Sequence, residues 1–87
     1  GSEGKLGAAV LAAKATLRTG CGLLTCSVPR LGIPVMQAAF PEAMCVTDQG
    51  KKVLSRLPQL DVYHAIGIGP GLGMHKKTAK LLQQLLA

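Results

Sequence analysis

Apolar residues recur along this chain with two different spacings. Four stretches show the three- and four-residue spacing of helices, and three short runs between them are almost continuously apolar, as is typical of strands in a parallel sheet. The predicted helices cover residues 8–18, 30–39, 51–60 and 74–87. The predicted strands cover residues 22–28, 41–47 and 65–68. This alternation predicts an α/β fold, a parallel sheet with helices on its faces.

The first and last predicted helices differ in how much of their surface is apolar. Residues 8–18 are rich in alanine and apolar on nearly every side, so we expect this helix to be buried between the sheet and another layer. Arg18 suits its C-terminal end and Gly20 supplies a terminating residue. Residues 74–87 are amphipathic and should lie on the sheet. Their predicted apolar stripe consists of Ala79, Leu82 and Leu86, with Leu81 and Leu85 beside it.

The middle of the chain predicts shorter elements. In the helix over residues 30–39, Pro34 suits the first helical position, where its missing N–H costs nothing. The helix over residues 51–60 rests on leucine and valine at helical spacing, with Pro58 stopping or kinking it. The strand over residues 22–28 should be buried on both faces, and residues 48–50 should end the strand before them.

Two stretches are rich in glycine. Residues 67–73 alternate glycine with other residues after a predicted strand, and residues 1–7 carry glycine at every third position before the first helix. Glycine lets a ligand approach the main chain, and a following helix N-terminus offers free N–H groups to an anion. Residues 67–73 should lie beyond the carboxyl ends of the strands, where parallel sheets bind ligands, and residues 1–7 should lie there too if a strand precedes them. Spacing alone leaves residues 67–73 equally consistent with a ligand-binding loop and with a simple turn.

Two common phosphate-binding motifs are excluded by spacing. The dinucleotide fingerprint needs a glycine at its sixth position, which here is Leu72 or Met74, depending on the starting glycine. The P-loop needs serine or threonine after its Gly-Lys pair, but the two Gly-Lys pairs of this chain precede Leu6 and Lys52. The loop over residues 67–73 is therefore neither a standard dinucleotide fingerprint nor a P-loop.

Composition narrows the possible partners. The 87 residues carry a formal charge of +6, but the basic residues are scattered in ones and twos, which favours a solvated surface over a nucleic-acid footprint. The positive electrostatic field of such a surface also suits a phosphorylated small-molecule ligand. Phe40 and Tyr63 are the only aromatic residues, so base stacking is not expected. No apolar run is long enough for a membrane span, and we expect no signal peptide.

The residues best suited to chemistry are few. Three cysteines occur without a C-x-x-C pair or a histidine at zinc spacing, so we expect small buried apolar residues of an intracellular protein. The two histidines, His64 and His75, are expected to be surface or capping residues. The residues themselves therefore indicate binding surfaces and no catalytic group.

Four blocks of sequence are more specific than the periodicity. The blocks, in chain order, are Gly1-Ser2-x-Gly4-x-x-Gly7-Ala8-Ala9, Ala15-x-Leu17-Arg18-x-Gly20-x-Gly22-Leu23, Pro41-Glu42-Ala43-Met44 and Ile66-Gly67-Ile68-Gly69-Pro70-Gly71-Leu72-Gly73. In this order they closely resemble the ADP/ATP-dependent NAD(P)H-hydrate dehydratase (NAD(P)HX dehydratase) family of the ribokinase-like superfamily. The resemblance covers almost the whole chain.

The resemblance implies a three-layer ribokinase-like fold, of which this chain holds a partial parallel sheet with flanking helices. It also implies a metabolite-repair lyase that restores NADH or NADPH from the hydrated forms. In that reaction ADP or ATP phosphorylates the added hydroxyl, and phosphate is then eliminated. Mg²⁺ with the nucleotide, a fused or separate NAD(P)HX epimerase, a homo-oligomer and a cytoplasmic location are further expectations from the family.

The resemblance also implies which residues contact the substrate. Ala8 and Gly71 match family positions that lie against the hydrated dinucleotide. The remaining matched positions shape the same two loops: Ser2, Gly4, Gly7, Gly69 and Gly73. The family's later blocks, including its catalytic aspartate, have no counterpart here, so residues 1–87 are expected to be the N-terminal portion of a single dehydratase domain. We expect this portion alone to be inactive and to contain no metal ligand.

Two alternative functions stay open on the sequence. One is a different ribokinase-like kinase, acting on a hydroxymethylpyrimidine or a sugar. The other is a non-catalytic basic module that binds nucleotides or nucleic acid. The first would bind a small alcohol in place of a dinucleotide, and the second would show DNA affinity that falls steeply with salt.

Overall fold

The structure is a computed structural model that describes residues 1–47 and 50–87. The described residues form three helices and a two-stranded sheet. In chain order the elements are α1 (Leu6–Arg18), β1 (Thr25–Val28), α2 (Gly32–Ala39), β2 (Met44–Thr47) and α3 (Lys76–Leu86). The two strands are parallel, with Thr25 opposite Met44 and Val28 opposite Thr47. The α/β fold class and the parallel pairing are confirmed.

The core forms where α1 and α2 pack against the sheet. Its buried members come from both helices, the end of β1 and the turn before β2: Ala13, Val28, Met36, Phe40 and Ala43. The buried face of α1 is one side only, since Leu11 is 72% exposed. The expectation that α1 is buried nearly all round was therefore wrong for the described chain, because nothing in it covers the second side.

The ends of the elements follow backbone chemistry closely. Helix α1 ends at Arg18, and Gly20 adopts a φ of +99°, the left-handed conformation expected of a terminating glycine. Helix α2 begins at Gly32, so Pro34 is its third residue and not its first. A proline is still tolerated there, because the N–H groups of the first turn have no helical partner. Strand β1 is shorter than predicted, since Leu23 is 82% exposed outside it, and its residues before Val28 are half-buried.

The predicted helix over residues 51–60 does not form. The backbone of this segment makes its hydrogen bonds with other parts of the chain: the carbonyls of Gly50 and Lys51 accept from Arg30 and Leu31, and the Lys52 carbonyl accepts from Glu3 N–H. Carbonyls used in this way are not available to a helix. The segment instead runs as an irregular strap past the first residues of the chain and the loop after β1. The predicted turn at residues 48–50 falls mostly outside the described residues.

The predicted third strand, residues 65–68, is irregular as well. No strand of the described chain pairs with it, and Ile66 and Ile68 are 51% and 40% exposed. An apolar run forms a strand only when a neighbouring strand accepts its backbone hydrogen bonds. This run therefore keeps the apolar composition of a strand without the pairing.

Helix α3 is attached to the irregular strap and not to the sheet. Thr78 and Leu81 are its buried residues, and the Thr78 hydroxyl donates to the Leu54 carbonyl at 2.6 Å. The predicted apolar stripe does not coincide with the buried face of α3, since Ala79 is exposed and Leu86 is 77% exposed.

Among the described residues, none of the helices has the length and apolar character of a membrane span.

Candidate functional site

The two glycine-rich loops are bound to each other. We call residues 1–7 the first loop and residues 67–73 the second loop. The hydroxyl of Ser2 donates to the Gly71 carbonyl at 2.8 Å, and the Gly1 nitrogen lies 3.3 Å from the Pro70 carbonyl oxygen. Ser2 is only 4% exposed, so its hydrogen bond is largely shielded from water. The two loops, nearly 70 residues apart in sequence, therefore form one surface.

Gly71 is the point at which the second loop is closest to α1. A Cβ atom at this position would lie 3.0 Å from the Ala8 Cβ and 3.2 Å from the Lys5 carbonyl oxygen. The φ of Gly71 is +71°, in the left-handed region that other residues rarely adopt. Both the conformation and the close approach therefore require glycine here, and they bring together the two residues expected to contact substrate.

The other glycines of the loops have different local roles. Gly4, Gly69 and Gly73 have φ values of +77°, +88° and +81°, so they permit the turns that shape the surface. The Gly69–Pro70 peptide bond is cis. Gly7 is exposed and is already the second residue of α1, with nothing within 4 Å of a Cβ added there. The geometry thus gives it no role in shaping the loop.

The joined loops lie at the carboxyl end of β1, as parallel topology predicts. Gly32, the first residue of α2, would place a Cβ 3.0 Å from both Leu6 Cδ2 and Val28 Cβ. The N-termini of α1 and α2 and the last residue of β1 therefore meet in one tightly packed corner. Sequence reasoning missed Gly32 and Lys5 as parts of this arrangement, since close packing between distant segments leaves no local pattern.

Within the sheet, Cys26 of β1 lies opposite Cys45 of β2. Burial raises the pKa of the Cys26 thiol, and the Cys45 thiol beside it raises the pKa further. A thiol held neutral in this way is a poor nucleophile and behaves as a small apolar side chain. Both cysteines pack against the core, close to the role predicted for them, although each is half-buried.

A second feature of the surface is a depression of about 410 Å³ beside the first loop. Its lining combines residues of that loop, the irregular strap and the start of α3: Ser2, Glu3, Gly50, Lys51, Lys52, Val53, Ser55, His75 and Lys77. His75 caps α3, because its Nδ1 accepts a hydrogen bond from the Lys77 N–H at 3.1 Å. The prediction that the two histidines are surface or capping residues is therefore confirmed for His75, and it is confirmed for His64, which is exposed.

The groups on this surface are suited to binding a ligand. Within residues 1–47 and 50–87, no group of three histidine, cysteine or carboxylate side chains could hold a metal ion. The groups at the junction of the loops are main-chain atoms, a hydroxyl and the methyl of Ala8. These can orient a ligand, but they provide no nucleophile or proton-transfer group of the kind that catalysis needs.

Comparison with known proteins decides the family. The family model described as NAD(P)H-hydrate dehydratase matches residues 1–87, the whole chain. The chain belongs to the NAD(P)H-hydrate dehydratase family. The family assignment is thus independent of the loop geometry, and it agrees with the four sequence blocks.

Relatives within the NAD(P)H-hydrate dehydratase family share about a third of the residues. An ADP-dependent (S)-NAD(P)H-hydrate dehydratase of Streptococcus pneumoniae is 36% identical over 93% of this chain and 27% of its own length. The bifunctional NAD(P)H-hydrate repair enzyme Nnr of Moorella thermoacetica is 38% identical over 99% of this chain and 18% of its own length. A dehydratase of Listeria monocytogenes with the same name as the first is 32% identical over 92% of this chain and 28% of its length. The chain thus spans less than a third of each of these relatives.

No solved structure matches this member of the NAD(P)H-hydrate dehydratase family. Its geometry therefore has to be interpreted from its own contacts. Those contacts bring together four of the seven predicted site positions: Ser2, Ala8, Gly71 and Gly73. Gly4 and Gly69 contribute left-handed turns, and Gly7 has no loop-shaping geometry.

Proposed function

We propose that the protein containing this chain dehydrates hydrated NADH and NADPH and restores the normal cofactors. The observation that carries the proposal is the contact of Ala8 with Gly71 in a chain matched over its whole length by the dehydratase family. In the reaction, a nucleotide transfers its terminal phosphoryl group to the hydroxyl of the hydrated ring. The phosphate then leaves with that oxygen, so the products are NAD(P)H, inorganic phosphate and the shortened nucleotide.

The joined loops would form one wall of the substrate site. Ala8 and Gly71 leave a surface with little side-chain bulk, on which the nicotinamide and its ribose can lie against the main chain. Ser2, Gly4, Gly69 and Gly73 would hold this wall in shape through the Ser2–Gly71 hydrogen bond and the left-handed turns. Gly7 stays a weaker member of the predicted set, because it lies exposed in α1.

We infer that the chain is the N-terminal portion of the dehydratase domain and that residues outside it supply the catalytic centre. The described residues hold no cluster of carboxylates, so they do not fit a Mg²⁺ site. Any Mg²⁺ would therefore arrive with the nucleotide and be held elsewhere. ADP is the preferred nucleotide, since several relatives are named ADP-dependent.

We further propose a cytoplasmic protein that acts with an NAD(P)HX epimerase, either fused to it or separate. Two relatives, from Moorella thermoacetica and Coxiella burnetii, are named bifunctional NAD(P)H-hydrate repair enzymes, which supports a fused arrangement in some members. A homo-oligomer is the remaining expectation, and sedimentation of the full-length protein would test it.

The direct test is an assay of the full-length protein with hydrated NADH and ADP, followed by the return of NADH absorbance. We expect turnover with ADP, slower turnover with ATP, and none without a nucleotide. The 87-residue chain assayed alone should be inactive. Phosphorylation of a hydroxymethylpyrimidine or a sugar, with hydrated NADH left unchanged, would overturn the proposal in favour of a small-molecule kinase.

A further inference from the structure

The depression beside the first loop carries an excess of positive charge. Three of its described lining residues are lysines, Lys51, Lys52 and Lys77, while Glu3 is the one acidic residue among them. The Glu3 carboxylate pairs with the Lys52 ammonium at 3.6 Å. Lys51 and Lys77 are thus the lining cations without a carboxylate partner among the described lining residues. A concave surface lined by one sign of charge focuses its field on a ligand of the opposite sign.

The start of α3 adds to this potential. The first turn of the helix holds Lys76 and Lys77 and no acidic residue. Cations are unfavourable at this end, because the helix dipole already places partial positive charge there. A bound anion would relieve that repulsion. The described residues of this turn do not supply a compensating negative charge.

The depression is linked directly to the wall formed by the glycine loops. Ser2 lines the depression, and the same residue donates to the Gly71 carbonyl at 2.8 Å. The adjacent Glu3 N–H donates to the Lys52 carbonyl at 2.8 Å. Two consecutive residues therefore hold the basic depression and the bare loop surface in a fixed relation, so one extended ligand can contact both.

We propose that this depression binds a phosphoryl group of the hydrated dinucleotide, with Lys51 and Lys77 as its ion-pairing side chains. The inference rests on the proposed function and extends it, since it places the charged part of the same substrate. Lysine acts on phosphate as a flexible point charge, which suits either the pyrophosphate bridge or the 2′-phosphate of NADPH. The sequence predicts only a solvated basic surface, because its pattern does not show that the strap and the start of α3 bring Lys51 and Lys77 together.

The first test does not depend on dehydratase activity. The full-length protein is titrated with inorganic pyrophosphate while backbone amide chemical shifts are followed by NMR. Saturable shifts are expected at residues 51, 52 and 77. The Lys51→Gln/Lys77→Gln double variant should bind pyrophosphate about tenfold more weakly. The matched control is Lys14→Gln/Lys80→Gln, which removes the same charge from exposed helical positions that do not line the depression.

The second test determines which phosphoryl group of the substrate lies in the depression. The KM of the lining variant should rise about tenfold with little change in kcat, as expected when binding is lost without a change in chemistry. A rise for hydrated NADPH alone assigns the 2′-phosphate, and an equal rise for hydrated NADH assigns the pyrophosphate bridge. The Lys51→Arg/Lys77→Arg variant should retain binding, which guards against a folding defect.

Equal pyrophosphate binding by the lining and control variants would overturn this inference, whatever the enzyme does. If instead the wild-type protein fails to dehydrate hydrated NADH but binds pyrophosphate at residues 51, 52 and 77, the proposed function is wrong and the anion site stands. The two proposals can therefore fail separately.

Discussion

At the scale of single residues, the candidate site depends on Gly71. Its left-handed backbone and its approach to Ala8 and to the Lys5 carbonyl leave no room for a larger residue. The hydrogen bond from Ser2 fixes the carbonyl of the same residue. Loss of either feature should separate the two loops, so both can be tested by substitution.

The Gly71→Ala variant should lower the free energy of unfolding by about 2 kcal/mol. The left-handed backbone and the added methyl, 3.0 Å from the Ala8 Cβ, both oppose it. Urea unfolding of the purified protein measures the change. Gly67→Ala is the matched control in the same loop, because Gly67 lacks a positive φ and has nothing within 4 Å of an added Cβ. Equal losses in the two variants would show that Gly71 is not sterically special.

The Ser2→Ala variant should lower the free energy of unfolding by about 1 kcal/mol, since a shielded hydrogen bond between the loops is lost. Thr16→Ala removes a hydroxyl of similar type whose bond to the Ala12 carbonyl is exposed and lies within α1. That control should have almost no effect, because alanine is the better helix former. If Ser2→Ala proves equally neutral, the bond to Gly71 does not hold the loops together.

At the scale of elements, α3 is held by few interactions. Thr78 donates a buried hydrogen bond to the Leu54 carbonyl of the strap, and Leu81 is the buried apolar residue of the helix. Because Lys77 and the cap His75 belong to this helix, its attachment also positions the basic depression. Changes that release α3 should therefore affect both stability and anion binding.

The Thr78→Val variant should lower the free energy of unfolding by about 1–3 kcal/mol, because it keeps the side-chain shape but leaves the Leu54 carbonyl without its partner. The substitution should speed backbone amide hydrogen exchange in α3 more than in α1. Thr16→Val makes the same replacement at an exposed helical position and serves as the control. Unchanged exchange in α3 would contradict the attachment described here.

The Leu81→Ala variant tests which face of α3 is buried. It should lower the free energy of unfolding by about 2–3 kcal/mol, since Leu81 is 3% exposed. Leu86→Ala should change it by less than about 0.5 kcal/mol, because Leu86 is 77% exposed. The stripe predicted from sequence gives Leu86 the larger effect, so thermal unfolding of the two variants distinguishes the interpretations.

Sequence patterns predicted the helices that have clear local signals and the two strands that pair with each other within the described chain. Helix α1 was predicted by its alanines and by Gly20, and the two paired strands were predicted within a few residues of their ends. The predictions failed over residues 51–60 and 65–68. There the outcome depends on distant partners: the first segment gives its carbonyls to Glu3, Arg30 and Leu31, and the second has no strand beside it in the described chain.

The candidate site was predicted only in part, because it also depends on contacts between distant segments. Glycine content identified both loops, and topology placed them at one end of the sheet. The contact between Ala8 and Gly71 could not be derived from spacing, because it joins positions 63 residues apart, and only the family resemblance singled them out. The basic depression was missed, since its lysines come from segments whose fold was predicted wrongly or incompletely.

At the scale of the whole molecule, we propose that this chain supplies a binding wall to a larger enzyme. It spans less than a third of the relatives from Streptococcus pneumoniae, Moorella thermoacetica and Listeria monocytogenes. Its described residues provide a shaped surface and a charged depression, and no group of three histidine, cysteine or carboxylate side chains among them could hold a metal ion. Binding and chemistry should therefore be separable: substitutions in this chain should alter KM more than kcat.

The most direct measurement of this claim is the steady-state kinetics of Ala8→Val in the full-length protein, with hydrated NADH and ADP as substrates. A bulkier side chain opposite Gly71 should raise the KM for hydrated NADH about tenfold while kcat changes little. Ala15→Val, at an exposed position of the same helix, is the control and should retain the wild-type KM. If Ala8→Val retains the wild-type KM as well, the joined glycine loops are not the surface against which the dinucleotide lies.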